Sequence, residues 1–397
     1  MHTTPRGMRR HVAIFGETNS GKSALFNAVL GAEAAIVSDV SGTTTDPVVK
    51  LMELLPHGPI TLIDTGGLGD TGSLGEQRMR RTREILEGID FALYAIDAAS
   101  FNEEVYHDMR SAFEQQRTPH IAVLTKKEEQ RLEQLALLTK KYRNTCVVSV
   151  YDQTSIDELK HRLCEELSRL DTPSPDGAFG LVPPGGVAVV VAPIDSAAPS
   201  GRLILPQNRF IRDCLDNGVR VNCTTPEYLE AVLRESARVD IVVTDSQAFK
   251  EVAQIIPDDM PLTSFSVLGA YEKGDLGEFV RGIQAVSRLT DGAKILVAEA
   301  CTHNATHEDI ARVKLPALLA KLSGKQLTFE YTAGRDFPAQ PGDFALVVHC
   351  GSCNLTRRET LARLERAAQA GVPVTNFGVL LAHGAGILGR AVEPFGV

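Results

Sequence analysis

Two groups of residues in this 397-residue chain have the types and the spacing to do chemistry. The first is Gly16-Glu17-Thr18-Asn19-Ser20-Gly21-Lys22-Ser23, which fits the phosphate-loop pattern Gly-x-x-x-x-Gly-Lys-Ser/Thr. In such a loop Gly16 and Gly21 let backbone N–H groups turn inward around phosphates, with Asn19 and Ser20 lying in the turn. Lys22 reaches the β and γ phosphates, and Ser23 is a magnesium ligand. Two further pieces follow in order. Gly42-Thr43-Thr44-Thr45-Asp46 is polar and suits a mobile loop, with Thr44 the choice for a magnesium-binding switch threonine and Thr43 the fallback. Asp64-Thr65-Gly66-Gly67 places Asp64 near the magnesium shell and the Gly67 amide where a γ phosphate would sit. Hydrolysis of a nucleoside triphosphate would then rest on Lys22, Thr44 and Gly67.

The second group is Cys301-Thr302-His303 together with His349-Cys350-Gly351-Ser352-Cys353. Three thiolates with His303, Glu308 and His349 nearby admit two inorganic readings. Zinc wants four closed ligands, which Cys301, Cys350 and Cys353 plus His303 or His349 would supply. An iron–sulfur cluster prefers thiolates and would find three, leaving one iron to a weaker or exchangeable ligand. Spacing alone does not choose between them.

Short apolar runs must position both groups. Residues 11–15, 60–63, 91–96, 121–124 and 146–148 read as strands, with helical patterns such as 24–30 between them, the rhythm of a helix-covered parallel sheet. Residues 171–177, Asp-Thr-Pro-Ser-Pro-Asp-Gly, break every periodicity and read as a linker. Beyond it, strands at 187–191, 219–221 and 241–244 alternate with helices at 207–217 and 226–237. A last set places strands at 295–297, 327–331 and 344–348 with a helix at 357–370. The whole is α/β, a P-loop domain over residues 1–172 followed by two smaller α/β domains over 180–264 and 265–397. No internal repeat is evident. Both cysteine groups follow apolar strands, so their loops leave strand ends that could converge.

Composition narrows the partners. With 41 basic and 50 acidic residues the net charge is −9, and the only basic cluster, at 78–83, reads as an exposed helix face. Nucleic acid and membrane are therefore not expected as partners. No apolar run approaches the ~20 residues that span a bilayer, and a cytoplasmic location is expected. Seven cysteines, an odd number, argue against a disulfide framework; Cys146, Cys164, Cys214 and Cys223 read as isolated core or surface thiols. His383, in Ala382-His383-Gly384, reads as a loop histidine without an assigned role.

The phosphate loop, the Thr43-Thr44 stretch and Asp64-Thr65-Gly66-Gly67 resemble those of the GTPases related to Era and to the tRNA-modifying TrmE type, over about residues 10–165. The resemblance implies GTP and GDP as ligands, magnesium, and an activating potassium ion held with the help of Asn19. Leu68 stands where Ras-like proteins carry a catalytic glutamine. The family's base-recognition sequence Asn-Lys-x-Asp is here Thr125-Lys126-Lys127-Glu128, in which Lys126 is retained, Thr125 replaces the asparagine and Glu128 the aspartate. Ser149 stands in the last base-contacting loop.

Cys-x-His, a gap of about forty-five residues, then His-Cys-x-x-Cys behind such a domain resembles the maturation GTPases of iron-only hydrogenases. Gly201-Arg202-Leu203-Ile204-Leu205-Pro206-Gln207 and Glu299-Ala300-Cys301-Thr302-His303 carry the likeness along the chain. The resemblance implies a GTPase domain, a dimerisation domain and an iron–sulfur domain in a homodimer. It implies a 4Fe–4S cluster on Cys301, Cys350 and Cys353, with Glu308 and His303 the leading candidates for the fourth position and His349 the third. It further implies a transient diiron precursor as cargo, and radical-SAM maturases and the apo-hydrogenase as partners. The competing reading is a regulatory GTPase with a structural zinc, acting on RNA or ribosomes.

Overall fold

A computed structural model describes residues 4, 6–31, 47–66, 85–129, 131–170, 180–194, 201, 203–300, 310–352 and 354–397. The chain divides into two compact units, Met1–Thr172 and Pro173–Val397.

In the first unit β1 (Arg10–Gly16), β2 (Val48–Leu54), β3 (Gly58–Asp64), β4 (Phe91–Asp97), β5 (His120–Thr125) and β6 (Thr145–Val147) form one sheet in the order β2-β3-β1-β4-β5-β6. Every pairing is parallel except β2 with β3. The antiparallel β2 departs from the all-parallel sheet expected from the sequence. Alternation along β1 explains why helices cover both faces. Val12 and Ile14 pack with Leu25 and Phe26 of α1 (Lys22–Leu30), whereas Ala13 and Phe15 point to the opposite face. There they meet Met109 and Phe113 of α2 (Glu103–Gln115) and Leu135 and Leu138 of α3 (Leu132–Lys141). The first face is completed by Ile156, Leu159, Leu163 and Leu167 of α4 (Gln153–Leu170), an i, i+3, i+7, i+11 stripe.

The second unit holds two four-stranded sheets, all parallel. One contains β7 (Val187–Val191), β8 (Arg220–Thr224), β9 (Ile241–Thr244) and β10 (Leu262–Ser264); the other β11 (Lys294–Glu299), β12 (Thr328–Ala333), β13 (Leu346–His349) and β14 (Val374–Asn376). Their orders, β8-β7-β9-β10 and β12-β11-β13-β14, are the same 2-1-3-4 arrangement. The helices repeat as well. α5 (Leu205–Asp216) follows β7, α6 (Leu229–Glu235) follows β8, α7 (Phe249–Ile255) follows β9, and α8 (Phe265–Lys273) and α9 (Leu276–Ile283) follow β10. In the second copy α10 (Leu315–Ser323), α11 (Arg357–Gln369), α12 (Phe377–Gly384) and α13 (Leu388–Val392) take the corresponding places, and no helix lies between β12 and β13.

Short sequence echoes accompany the repeat. Leu205-Pro206 opens α5 and Leu315-Pro316 opens α10, while Ser264-Phe265-Ser266-Val267-Leu268 matches Asn376-Phe377-Gly378-Val379-Leu380. The absence of an internal repeat inferred from the sequence is thus corrected. The duplicated unit is a fold with few shared residues, too few to register as a period.

The two copies exchange their last helices. α9 of the first copy packs on β14 of the second, where the Thr375 hydroxyl donates to the Phe279 carbonyl at 3.0 Å. Reciprocally, α13 packs on β10, where the Thr263 hydroxyl donates to the Ala391 carbonyl at 2.9 Å. Such mutual contacts are the signature of a twofold relation. A single apolar cluster runs through both copies, from Val189 and Val242 to Ile295 and Val348. Among the described residues no helix is long and apolar enough to cross a membrane.

Gly282 permits the exchange, because a Cβ there would collide with the Val374 carbonyl oxygen. Gly282→Ala is therefore expected to destabilise the second unit by about 1–3 kcal/mol, read as a lower melting temperature by calorimetry. An unchanged melting temperature would show that the contact between α9 and β14 is not a close one.

Candidate functional site

The phosphate loop closes the carboxyl end of β1. Gly16 sits at φ +145° against the Ala95 carbonyl of β4, an approach only glycine allows, and Asn19 and Gly21 take left-handed φ values of +64° and +86°. α1 begins at Lys22, so its unsatisfied N–H groups face the loop. Lys22 is buried, its Nζ donating to the Glu17 carbonyl at 2.6 Å. Burial pushes its ammonium below the usual lysine range, partly opposed by Asp64 and Glu17. The Ser23 hydroxyl donates to Asp64 Oδ2 at 2.8 Å, and the Gly66 N–H reaches Asp64 Oδ1 at 3.3 Å. A hydroxyl and a carboxylate side by side behind a buried lysine form a hard-oxygen donor set suited to magnesium. Thr43, Thr44 and Gly67 lie outside the described residues.

The base-recognition residues converge on the same edge. Thr125 is buried at the end of β5, with its hydroxyl 2.6 Å from the Ser20 carbonyl and 3.1 Å from that of Ile96. It therefore ties the base loop to the phosphate loop. Lys126 takes φ +53° and pairs with Asp97 at 2.9 Å, while Glu128 is exposed. Ser149 is buried; its Oγ accepts from the Tyr151 N–H at 3.2 Å and its carbonyl from the Ser155 hydroxyl at 3.0 Å. Asp97 escaped sequence reasoning because its pairing with Lys126 exists only across strands, and Ser155 because its hydroxyl meets the Ser149 carbonyl only once the loop has folded onto the start of α4.

The described part of the cysteine group lies at the carboxyl ends of β11 and β13, the adjacent central strands on either side of which the order 2-1-3-4 reverses. Open α/β sheets bind ligands at such a switch point. Cys350 Sγ accepts the Ala300 N–H at 2.9 Å and the Ser352 N–H at 3.4 Å. The Cys350 N–H in turn donates to the Ala298 carbonyl at 3.0 Å. Ala300 is the residue before Cys301. Cys301, His303, Glu308 and Cys353 lie outside the described residues.

His349 is fully buried, and both of its ring nitrogens are engaged. Arginine only donates, so Nε2, 3.2 Å from Arg363 Nη1, is the acceptor. The proton then sits on Nδ1, which donates to the Cys350 carbonyl at 2.9 Å and lies 3.3 Å from Ser352 Oγ. Burial, reinforced by Arg363, lowers its pKa to about 4, so the ring is neutral near pH 7. In this arrangement both ring nitrogens of His349 are engaged within the protein, and the ring braces the Cys350 carbonyl. Asn376 adds a second brace, its amide donating to the Cys350 carbonyl at 3.1 Å.

Three stretches match family models. Residues 178–274 match the Hydrogen maturase F dimerization domain and residues 277–394 the Hydrogen maturase F tetramerization domain, while residues 11–126 match 50S ribosome-binding GTPase. The chain belongs to the hydrogen maturase F family.

Individual relatives match shorter stretches of the chain. The tRNA modification GTPase MnmE of Xanthomonas oryzae pv. oryzae is 46% identical over 89 residues, 22% of this chain and 20% of that protein. GTPase Der of Sulfurimonas denitrificans is 37% identical over 118 residues, 29% of this chain and 24% of that protein. The chain thus spans about a fifth to a quarter of these relatives. A crystal structure of Aquifex aeolicus Era is 26% identical over 39% of this chain and 56% of its own, with a TM-score of 0.33.

Of the three cysteines to which the resemblance to hydrogenase maturation GTPases assigns an iron–sulfur cluster, Cys350 lies among the described residues, and its surroundings suit a thiolate ligand. Two N–H donors on one sulfur are the surroundings of a thiolate. The side chains that sequence reasoning missed here are Arg363, Ser352 and Asn376. Arg363 had a signal: with Thr360, Leu364 and Ala367 it lies on the buried face of α11, an arginine inside an otherwise apolar or small stripe. His383 closes α12 as an exposed residue of its last turn rather than a loop residue.

Thr125→Val removes the hydroxyl bonded to the phosphate loop and leaves a buried carbonyl short of its partner. Weakening of guanine-nucleotide binding by about tenfold is expected, measured with a fluorescent GDP analogue. An unchanged dissociation constant would show that the tether carries no binding energy.

Proposed function

We propose that this chain is a GTP-binding and GTP-hydrolysing carrier. It holds a 4Fe–4S cluster on Cys301, Cys350 and Cys353, receives a diiron precursor, and delivers it to an iron-only hydrogenase lacking its cofactor. The observation that carries the reading is the Ala300 N–H on Cys350 Sγ at 2.9 Å. It sets Ala300, the residue before Cys301 in sequence, against the first thiol of the Cys-x-x-Cys motif.

In the first unit Lys22 would neutralise developing charge on the γ phosphate, and the N-terminus of α1 would hold the phosphates by backbone N–H groups. Ser23 and Asp64 would keep the magnesium ion that draws the phosphate charge away from its oxygens, and Thr44 and Gly67 would close on the γ phosphate. Asn19 is assigned to a potassium ion. Glu128 would accept from the guanine edge with Lys126 and Ser149 beside it, and Thr125 holds the loop rather than the base.

In the second unit the three thiolates would keep the cluster, which when bound supplies an iron with an exchangeable position for the diiron cargo. Glu308 or His303 would fill that position between deliveries. The chain's own part would be to keep Cys350 fixed through the bonds of His349 and Asn376 to its carbonyl. GTP hydrolysis acts as a switch on partner binding. If Lys22→Ala abolishes precursor loading while partner binding and release stay normal, that switch role is wrong. Assembly through the second unit, into dimers or larger assemblies, accompanies this function.

Metal analysis decides the central claim. Protein reconstituted without oxygen is expected to hold about four irons per chain and to give a reduced-cluster paramagnetic signal that Cys301→Ser and Cys353→Ser alter or abolish. One tightly held zinc and no cluster would replace this reading with a regulatory GTPase carrying a structural metal.

A further inference from the structure

Arg363 is a charged group that the proposed carrier role has not used. It lies on α11, is 4% exposed, and contacts only neutral partners. Nη1 donates to His349 Nε2 at 3.2 Å, Nη2 donates to the Gly334 carbonyl at 2.6 Å, and the guanidinium stands 5.2 Å from the centre of the Phe337 ring. Among the described residues no carboxylate lies within ion-pair distance of it. Glu359, one turn earlier on α11, is held by Arg335 at 3.0 Å and by the Thr356 N–H at 2.9 Å.

Burying a cation without an anion is expensive, and proteins tolerate it where an anion arrives to offset it. Burial does press Arg363 toward its neutral form. Of the groups that oppose this, Cys350 acts most strongly, ahead of Glu359 and Asp336. Geometry ties Arg363 to the same residue, because the His349 ring accepts from the guanidinium on one side and donates to the Cys350 carbonyl on the other.

We infer that Arg363 is the built-in counter-ion of the metal centre, a buried positive charge set behind His349 that stabilises the anionic cluster and favours its reduced state. This rests on the proposed cluster reading. A cluster bound by thiolates is negatively charged and becomes more so on gaining an electron, so a fixed cation nearby raises its reduction potential. Low local dielectric strengthens the effect, because the guanidinium and His349 are both shielded from water. His349 supplies the link: its ring accepts from Arg363 on one side and donates to the Cys350 carbonyl on the other. Arg363 is thus a positioning and charge-supplying residue that need not touch iron.

The test uses the full chain, reconstituted without oxygen, as wild type, Arg363→Gln and Arg363→Lys. Iron per chain, the melting temperature of the metal-free protein, and the midpoint potential of the cluster are measured, with dithionite supplying the electrons in a titration followed by paramagnetic resonance. The expected result is wild-type iron content with a midpoint shifted to more negative potential in Arg363→Gln. In Arg363→Lys, which keeps the charge and loses the planar fork, most of that shift should be absent. Equal midpoints in wild type and Arg363→Gln would overturn the inference, as would equal shifts in Gln and Lys variants, which would mark a purely structural brace. Should metal-free Arg363→Gln fail to fold, Arg363→Met replaces it as the charge-free variant: a midpoint more negative than that of Arg363→Lys supports the counter-ion, and equal midpoints overturn it. Wild-type protein that takes up no cluster overturns both this inference and the carrier reading, whereas a wild-type cluster insensitive to residue 363 overturns only the inference.

Discussion

Parallel pairing of β11 with β13 is the constraint on which the cysteine site depends. Val297 lies opposite Val348 and Ala298 opposite His349, so the two chains leave the sheet at one edge. Backbone groups that would have continued the ladder turn instead to sulfur, and the Ala300 N–H meets Cys350 Sγ. Cooperation from the neighbouring copy fixes the rest of the loop. The Gly351 carbonyl faces Gly269 of α8 so closely that a Cβ there would stand 3.3 Å away, and buried Lys273 donates to the Leu355 carbonyl at 3.3 Å. α11 then starts under a capping box, with Thr356 and Glu359 exchanging side-chain and backbone hydrogen bonds, which sets the helix rotation that turns Arg363 inward.

The nucleotide site of the first unit obeys the same rule on a different sheet. Strand ends at Gly16, Asp64, Thr125 and Val147 lie along one edge because β1, β3, β5 and β6 run in one direction. Close approach does the remaining work. A glycine at position 16 lets the phosphate loop pass over β4, and a buried hydroxyl at Thr125 holds that loop to β5. Each site is therefore a property of strand direction, with the chemistry supplied by loops.

Duplication within the second unit shows how little of a fold specifies its chemistry. Register places Thr244 where the second copy has His349, and Asp245 where it has Cys350. In the first copy that loop is closed by polar contacts, Gln207 donating to Asp245 at 2.7 Å and Ser246 lying 3.2 Å from Ser264. The same strand exit thus carries thiols in one copy and a satisfied hydrogen-bond network in the other. Exchange of α9 and α13 merges the two copies into one core, which is why a boundary drawn near residue 265 cuts through shared packing: α8 belongs to the first copy by sequence and supports the cysteine loop of the second.

Sequence by itself determined the phosphate loop, the strands that buried β-branched runs announce, and the three cysteines, because fixed spacing and strong period are local properties. It did not reveal β10 and β14, where Leu262 and Val374 are followed by Thr263-Ser264 and Thr375-Asn376 and no apolar run announces a strand. Nor did it reveal the antiparallel β2 or the repeated topology, which live in pairing rather than in residue identity. His349 shows the division most clearly. Beside Cys350 in sequence it reads as a ligand; in the fold its two nitrogens are taken by Arg363 and the Cys350 carbonyl. Residue type set what His349 could bind, and tertiary packing decided what it does bind, because a buried polar atom takes whichever partner the surrounding elements bring within hydrogen-bond reach.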